Sequence, residues 1–185
     1  MNYEWVLHTL YDEQAYRALA EASWQLFRRP KMQTQAYPIL IAAAVMTLAA
    51  AFLGDRSNRL LAAVLLLFFV AAIPLSKVSA KSKMYRTAKK AAEAAGNFPA
   101  KVTFVFLEKE IHSTIGDKSH IIPYNKVSCF AEMGNWQFLF FDQTAAYIFN
   151  TTELRDTGKL ERFEAMLTQK CGLSKIRLKG SAVKV

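Results

Sequence analysis

The sequence predicts an α+β membrane protein in which a two-helix transmembrane hairpin is joined to an antiparallel β-barrel or sandwich with a C-terminal helix. The hairpin is predicted because residues 37–53 and 60–75 contain no charged side chain. Each run is close to the roughly 17–25 residues that a helix needs to cross a bilayer. The β domain is predicted because, from Lys101 onward, apolar residues recur at the period of two that is typical of strands.

The N-terminal stretch predicts a strand followed by an amphipathic helix. Residues 3–10 alternate in the manner of a strand, and Thr9 with Asp12 resembles a helix-capping arrangement. About five helical turns should follow, and Pro30 should end them. The polar face mixes acidic and basic residues, which favours packing against the soluble domain over a helix lying on the membrane surface. The expected apolar face comprises Tyr16, Leu19, Ala20, Ser23, Leu26 and Phe27.

The charges that flank the two apolar runs predict the orientation of the hairpin. The polar break at residues 54–59 is short, so the helices should run antiparallel, and it contains two arginines. Three basic residues precede the first run and six follow the second, which places both termini in the cytoplasm by the positive-inside rule. A soluble hairpin buried in a core is the alternative. Because the runs lack ionisable groups, they resemble an anchor more than a transport path.

The stretch from Ser76 to Asn97 should continue the second helix into the cytoplasm, and Gly96, Asn97 and Pro99 should end it. Its basic residues can attract anionic lipid, or they can serve only to set topology, and the same charges can do both. The candidate lipid contacts are Lys77, Lys81, Lys83, Arg86, Lys89 and Lys90.

The C-terminal part predicts six short strands and a helix. Asp156 or Thr157 should cap that helix and Gly172 should end it, with Leu160, Phe163, Met166 and Leu167 on its apolar face. The predicted strands lie at residues 102–107, 111–115, 119–124, 127–133, 136–141 and 145–149.

These elements divide the chain into five segments. Residues 1–30 are expected to form a strand and a helix that pack with the C-terminal domain. Residues 37–78 are expected to form the hairpin, and residues 79–98 a basic juxtamembrane helix. Residues 99–172 are expected to form the β domain with its helix, and residues 173–185 are expected to form a basic flexible tail.

The sequence carries no pattern that predicts a catalytic, cofactor or metal site. His8, His112 and His120 fall in three separate predicted strands without metal-ligand spacing. Cys129 and Cys171 are expected to pack as small hydrophobic residues. Nucleic acid is not an expected partner, because the aromatic strand at Trp136, Phe138, Phe140 and Phe141 lacks interleaved basic residues; core packing is the better interpretation.

Six strands followed by an amphipathic helix indicate a pleckstrin-homology-like (PH-like) topology, to which the N-terminal strand could add the seventh strand. Over about residues 2–170 the chain also resembles the YcxB-like family of small bacterial membrane proteins. The motifs that carry this resemblance are residues 3–16, the double apolar run, Ile122-Pro123-Tyr124 leading into Val127, Phe138-Leu-Phe-Phe and Ala146-Tyr-Ile-Phe. The resemblance implies fold and membrane topology, and it places the two spans in a bacterial plasma membrane.

The expected function is therefore that of a membrane-anchored, non-catalytic interaction module. Its PH-like domain would bind a protein segment or anionic lipid at the inner face of the membrane. The expected partners are membrane lipids and a protein partner or a second copy of the chain. An enzyme or transport-accessory subunit with a site between the hairpin and the cytoplasmic domain is the alternative.

Overall fold

A computed structural model describes residues 5–53, 56–143 and 145–180. The chain forms two compact units: a β unit built from Met1–Ser23 and Tyr85–Val185, and a helical unit built from Trp24–Met84. The predictions made for Tyr3, for Gly54 and Asp55, and for residues 181–185 concern positions outside the described residues.

The helices are α1 (Glu13–Ser23), α2 (Arg29–Lys31), α3 (Tyr37–Leu53), α4 (Arg56–Ala94), α5 (Thr152–Asp156) and α6 (Leu160–Cys171). The strands are β1 (Trp5–Tyr11), β2 (Ala100–Phe106), β3 (Glu110–Ile115), β4 (Lys118–Pro123), β5 (Cys129–Met133), β6 (Trp136–Phe140), β7 (Ala146–Asn150) and β8 (Ile176–Arg177).

The helical unit contains two long apolar helices. Helix α3 coincides with the first predicted run. Helix α4 begins at Arg56, within the predicted polar break, and continues through the second run to Ala94 with Pro74 inside it. Both helices are long and apolar enough to cross a bilayer, and almost none of their apolar windows is buried within the chain. Val45 is 60% exposed and Leu67 72%. Thr47 hydrogen-bonds along its own helix, donating to the Ala43 carbonyl at 2.8 Å.

The prediction that Pro30 ends the N-terminal helix is wrong. The chain remains helical from α1 through α3, with wider π-helical turns at Trp24–Arg28 and Met32–Ala36 on either side of α2. Proline has no N–H to donate, and its ring clashes with the carbonyl four residues earlier in a regular α-helix. π-Turns change that geometry locally and are a recognised way to absorb such an irregularity.

Two four-stranded sheets form the body of the β unit. The first has the order β1-β2-β3-β4 and is antiparallel throughout, and the second has the order β7-β6-β5-β8. All six strands predicted after Lys101 are present, displaced by at most two residues at their ends. The predicted strands are therefore real, but their burial differs: β2 buries every second residue from Val102, all five residues of β6 are buried, and β4 is mostly exposed.

Strand β1 belongs to the first sheet, although two long helices separate it in sequence from its neighbour. It pairs with β2 from Trp5↔Phe106 to Tyr11↔Ala100. Two of its side chains also bind the second sheet: the Tyr11 hydroxyl accepts a hydrogen bond from Ile148 N at 2.8 Å, and Thr9 Oγ1 accepts one from Asn150 N at 3.2 Å.

Thr9 therefore does not cap helix α1, contrary to the sequence prediction. Asp12 takes that role, since its Oδ1 accepts a hydrogen bond from Ala15 N at 3.0 Å. Helix α1 packs against the strands with Ala15, Ala18 and Ala22, which are fully buried.

An aromatic cluster joins both sheets to α6. Phe149 of β7 lies 4.6 Å from Phe104 and 5.5 Å from Phe106 of β2, measured between ring centroids. Phe163 of α6 packs edge-on against Phe106 at 5.1 Å. These rings and Leu167 are fully buried, which confirms the prediction that Phe163 and Leu167 lie on the apolar face of the last helix.

The ends of α6 differ from the prediction at one terminus and agree at the other. Asp156 belongs to the separate short helix α5, and Lys159 precedes α6 without a side-chain cap, so neither Asp156 nor Thr157 caps α6. Gly172 ends the helix in the left-handed region at φ 66°, as predicted.

The tail predicted as a basic flexible segment is tied to the second sheet over its described part. Strand β8 pairs in parallel with β5, placing Ile176 opposite Ala131 and Arg177 opposite Glu132. Leu178 N adds a hydrogen bond to the Glu132 carbonyl at 2.8 Å.

Candidate functional site

The six candidate lipid contacts all lie on α4, but they differ in exposure. Lys77, Lys83, Arg86 and Lys90 are exposed, whereas Lys81 and Lys89 are partly buried. Lys77, Lys81 and Lys83 belong to the helical unit, and the other three belong to the β unit. The spacing of Lys83, Arg86 and Lys90 (i, i+3, i+7) puts them along one side of a helix.

Lys89 is engaged within the β unit. Its ammonium lies 3.8 Å from Glu13 of α1 and 3.8 Å from Glu93, and it sits over the Phe98 ring at 5.0 Å. Glu13 also accepts a short hydrogen bond from the Tyr85 hydroxyl. These contacts link α1 to the C-terminal part of α4, so Lys89 takes part in the packing of the β unit.

A cavity of about 480 Å³ lies in the β unit beside the C-terminal part of α4. We call it the α4 cavity. One wall is formed by Ala88, Ala91 and Ala92 of α4, and the others come from β1, α1, the β3–β4 hairpin and β7. The lining contains no Asp, Glu, Lys or Arg side chain among the described residues. Its volume falls within the roughly 300–1,000 Å³ typical of small-molecule sites.

The tyrosines of the α4 cavity present mainly their rings. The Tyr11 hydroxyl is occupied by its bond from Ile148 N, and the Tyr147 hydroxyl lies 2.8 Å from Ser113 Oγ. Burial raises the pKa of both phenols, Tyr11 the more strongly, because the phenolate would lose hydration. Both groups therefore stay neutral across the physiological range, and the wall is apolar in character.

A second cleft, of about 700 Å³, opens between β1 and the helices α5 and α6. Trp5, Val6 and Leu7 form its strand side. Lys159 and Arg162 from the helix side give it a basic border, together with the single carboxylate of Glu153. We call it the β1 cleft; it is more polar than the α4 cavity.

A group of half-buried charges connects β8 to the rest of the β unit. Lys175 Nζ lies 2.8 Å from Glu132 Oε2 of β5 and 2.5 Å from Glu164 Oε2 of α6. Gln137, which is fully buried, donates from Nε2 to Glu164 Oε1 at 2.5 Å. One lysine thus bridges two carboxylates from different elements, and the exposed Arg155 and Arg177 add positive charge farther from Glu132, at 3.7 and 3.6 Å.

Lys175→Met is expected to destabilise the β unit by about 2–3 kcal/mol, because it leaves two poorly hydrated carboxylates without their shared cation. The Lys175 side chain is 14% exposed, which keeps solvent screening low. Urea unfolding of the detergent-solubilised full chain, followed by tryptophan fluorescence, measures the change. The exposed Lys159→Met is the matched control; if both variants shift the free energy of unfolding by less than about 0.5 kcal/mol, the lysine does not hold the cluster.

The three histidines lie on separate strands of the first sheet, as predicted. His8 Nδ1 contacts Thr103 Oγ1 at 3.0 Å, His112 Nε2 contacts Glu110 at 2.7 Å, and His120 is an exposed residue at the α4 cavity. Across the described ranges, no group of three or more His, Cys, Asp or Glu side chains could hold a metal ion.

The cysteines are half-buried thiols with no disulfide between them. Burial raises the pKa of the Cys171 thiol to about 11 and also raises that of Cys129. Both are therefore protonated and poorly nucleophilic near neutral pH. The aromatic residues Trp136, Phe138 and Phe140 are buried, in agreement with the core-packing interpretation.

Sequence reasoning identified the basic residues but missed the α4 cavity. The spacing of Ala88, Ala91 and Ala92 (i, i+3, i+4) was the available signal, since small residues along one side of a helix leave room at its surface. Tyr16 falls on the predicted apolar face of the N-terminal helix, and Ser113 and Tyr147 fall in predicted strands, but nothing in the sequence indicates that they meet in or next to a cavity.

Comparison with known proteins adds no identification: no family model, no curated protein and no solved structure matches this chain.

Proposed function

We propose that this chain is a non-catalytic interaction module of the YcxB-like kind. Two spans anchor it in the bacterial plasma membrane with both termini in the cytoplasm, and its PH-like β domain works at the inner face. There the chain gathers anionic lipid around exposed basic residues of α4. The observation that carries this proposal is the run of exposed cations Lys83, Arg86 and Lys90, which follows an uncharged, outward-facing apolar stretch in the same helix.

The anchor is supported by the surfaces of α3 and α4. Ile39 is 70% exposed, Phe52 78% and Val70 70%, so no described residue of the chain covers them. Soluble monomers rarely expose contiguous apolar patches larger than a few hundred Å². Hydrocarbon is the simplest environment that removes such a surface from water.

A PH-like domain is supported by the order of the elements. A four-stranded antiparallel meander leads into a second antiparallel meander, β5 to β7, and the helix α6 follows. Phe163 of α6 inserts into the aromatic cluster between the sheets. The topology has seven main strands and one terminal helix, which is the PH-like count; the short strand β8 is an addition to it.

Lipid attraction is supported by charge and exposure. A basic side chain near an anionic leaflet gains about 1 kcal/mol, or about fivefold in relative lipid occupancy. Lys83, Arg86 and Lys90 are exposed and lie along one side of α4, so they can act together. Lys89 is left out of this set because its ammonium already contacts Glu13, Glu93 and the Phe98 ring.

The experiment uses the full chain in nanodiscs that contain equal amounts of an anionic and a zwitterionic phospholipid. Native mass spectrometry of protein with retained lipid reports which lipid the protein enriches. The triple variant Lys83→Gln, Arg86→Gln, Lys90→Gln is expected to lose the enrichment of anionic lipid, and added salt is expected to weaken it in the parent chain.

Two controls separate local contact from net charge. Lys89→Gln removes a cation from the same helix and should leave the lipid enrichment unchanged. Replacing the exposed lysines Lys101, Lys126 and Lys159 by Gln removes the same net charge from the β unit and should also have no effect. Two outcomes would contradict the proposal: an equal loss of anionic-lipid enrichment in this second control, or undiminished enrichment in the α4 triple variant. In either case the three residues would only set topology, and a protein segment would be the ligand to seek.

A further inference from the structure

The α4 cavity supports a further inference, which the basic residues of α4 do not support by themselves. We infer that it accommodates the hydrocarbon chain of an anionic lipid, so that the β unit holds a single lipid molecule in addition to attracting headgroups electrostatically. This inference rests on the proposed membrane location, and it adds a defined site and a chemical class of ligand.

The lining determines what can enter the α4 cavity. Aliphatic side chains such as Ile115 and Ile122 face the alanines of α4, and the rings of Tyr11 and Tyr147 complete the wall. The hydroxyls of these two tyrosines are already hydrogen-bonded within the protein. A polar group lying against these aliphatic and aromatic side chains would lose hydration without gaining partners, whereas an apolar chain loses nothing and releases water from the wall. The lining also includes the polar side chains of Tyr16, Asn97 and His120.

The surroundings of the α4 cavity determine which end of the ligand stays outside. Lys118 lies beside it, because its ammonium donates to the Ala95 carbonyl at 3.3 Å, between Ala92 and Asn97 of the lining. His120 is exposed and lines the cavity. An anionic head group would therefore find a cation and an imidazole next to the opening, and no described carboxylate in the lining opposes it.

The volume of the α4 cavity and the position of its alanine wall in the chain favour a lipid over other apolar ligands. The volume of about 480 Å³ suits one extended or folded hydrocarbon chain and is too small for a folded protein ligand. The helix that forms the alanine wall is the same helix whose earlier residues form a candidate membrane span. Lipids are therefore the apolar molecules that this chain meets at the highest concentration.

Photo-crosslinking of the full chain in nanodiscs tests the inference. One arm uses an anionic phospholipid with a diazirine near the end of one acyl chain, and the other uses a free fatty acid with the same group. Mass spectrometry of the peptides then locates the label. Label is expected on peptides that contain Ile115, Ile122 or Tyr147, in addition to label on the apolar helices. Cavity label from the first arm alone identifies a phospholipid as the occupant, and label from the second identifies a free acid.

Two alanines of α4 provide a matched pair of variants. Ala91→Phe fills the cavity from its wall and is expected to reduce cavity label by about tenfold, because an added ring in an occupied site must displace the ligand. Ala94→Phe adds the same ring at another exposed alanine of the helix, outside the lining, and should leave the label unchanged. If Ala91→Phe unfolds the unit, the smaller Ala88→Leu takes its place in the comparison.

The outcomes separate this inference from the proposed function. Label confined to α3 and to the apolar part of α4 overturns the cavity assignment while the membrane anchor stands. Cavity label that neither Ala91→Phe nor Ala88→Leu reduces overturns it as well. Absence of label from both long helices contradicts the membrane location itself. Loss of anionic enrichment in the α4 triple variant is a separate readout, because none of those three residues lines the cavity.

Discussion

Replacing Phe149 by alanine is expected to lower the free energy of unfolding of the β unit by about 3–5 kcal/mol. Phe149 of the second sheet is fully buried and contacts rings of the first sheet and of α6: Phe104 at 4.6 Å, Phe106 at 5.5 Å and Phe163 at 6.5 Å. Its removal leaves a void where three elements meet, and surrounding rings can fill such a void only partly.

Denaturant unfolding of the full chain in detergent, followed by near-ultraviolet circular dichroism, measures this loss. Ile121→Ala is the control, since Ile121 lies on the outer face of the first sheet and is 55% exposed. It should change the free energy of unfolding by no more than about 0.5 kcal/mol. Similar midpoints for the two variants would mean that Phe149 is not at the centre of the core.

An acidic residue in the middle of α3 is expected to have the second large effect. Val45→Asp places a carboxylate at the midpoint of the apolar run, where membrane insertion becomes less favourable by about 2.5–3.5 kcal/mol, or roughly a hundredfold in the insertion equilibrium. Resistance of the full chain to alkaline extraction from bacterial membranes should fall accordingly.

Ile39→Asp is the control for the insertion experiment. Ile39 is as exposed as Val45 but lies in the first turn of α3, where a carboxylate can reach the interface. A soluble hairpin that buries α3 against a partner protein would give a different result. The parent chain would then be extracted by alkali, and the position of the carboxylate would not matter for membrane retention.

The strands of both sheets can be predicted from the sequence because the alternation and turn residues that indicate them are local. Val102, Phe104 and Phe106 alternate with residues that face outward, and the three alternate residues are buried in the structure. Gly116 and Gly134 both adopt positive φ at turns between predicted strands, where glycine has no steric penalty. The period of two and the turn residues together locate each strand to within two positions.

The sequence does not predict the continuous helical connection before α3, because proline by itself favours the end of a helix. Pro30 has no hydrogen-bond donor, but the chain continues through it with π-turns on both sides, and Thr34 donates to the Pro30 carbonyl at 3.0 Å. A rule based on one residue cannot anticipate how the neighbouring turns adjust.

The tail and the α4 cavity depend on contacts between distant parts of the chain, which a linear pattern does not show. Strand β8 has only two residues, and it is held by Lys175 between Glu132 and Glu164. The cavity exists because α1, α4 and two hairpins meet around small side chains. The basic residues of the proposed lipid contact could be identified from the sequence as charges, but only the structure shows that Lys83, Arg86 and Lys90 are exposed whereas Lys89 contacts Glu13.

The pairing of β1 with β2 also sets an order of events during biosynthesis. His8 and Thr103 lie opposite each other and are 95 residues apart, with both long apolar helices between them. At about 5–20 residues per second, a ribosome completes β2 roughly 5–20 s after β1. The first strand must therefore wait unpaired while both helices are synthesised, and the first sheet can close only once β2 has emerged.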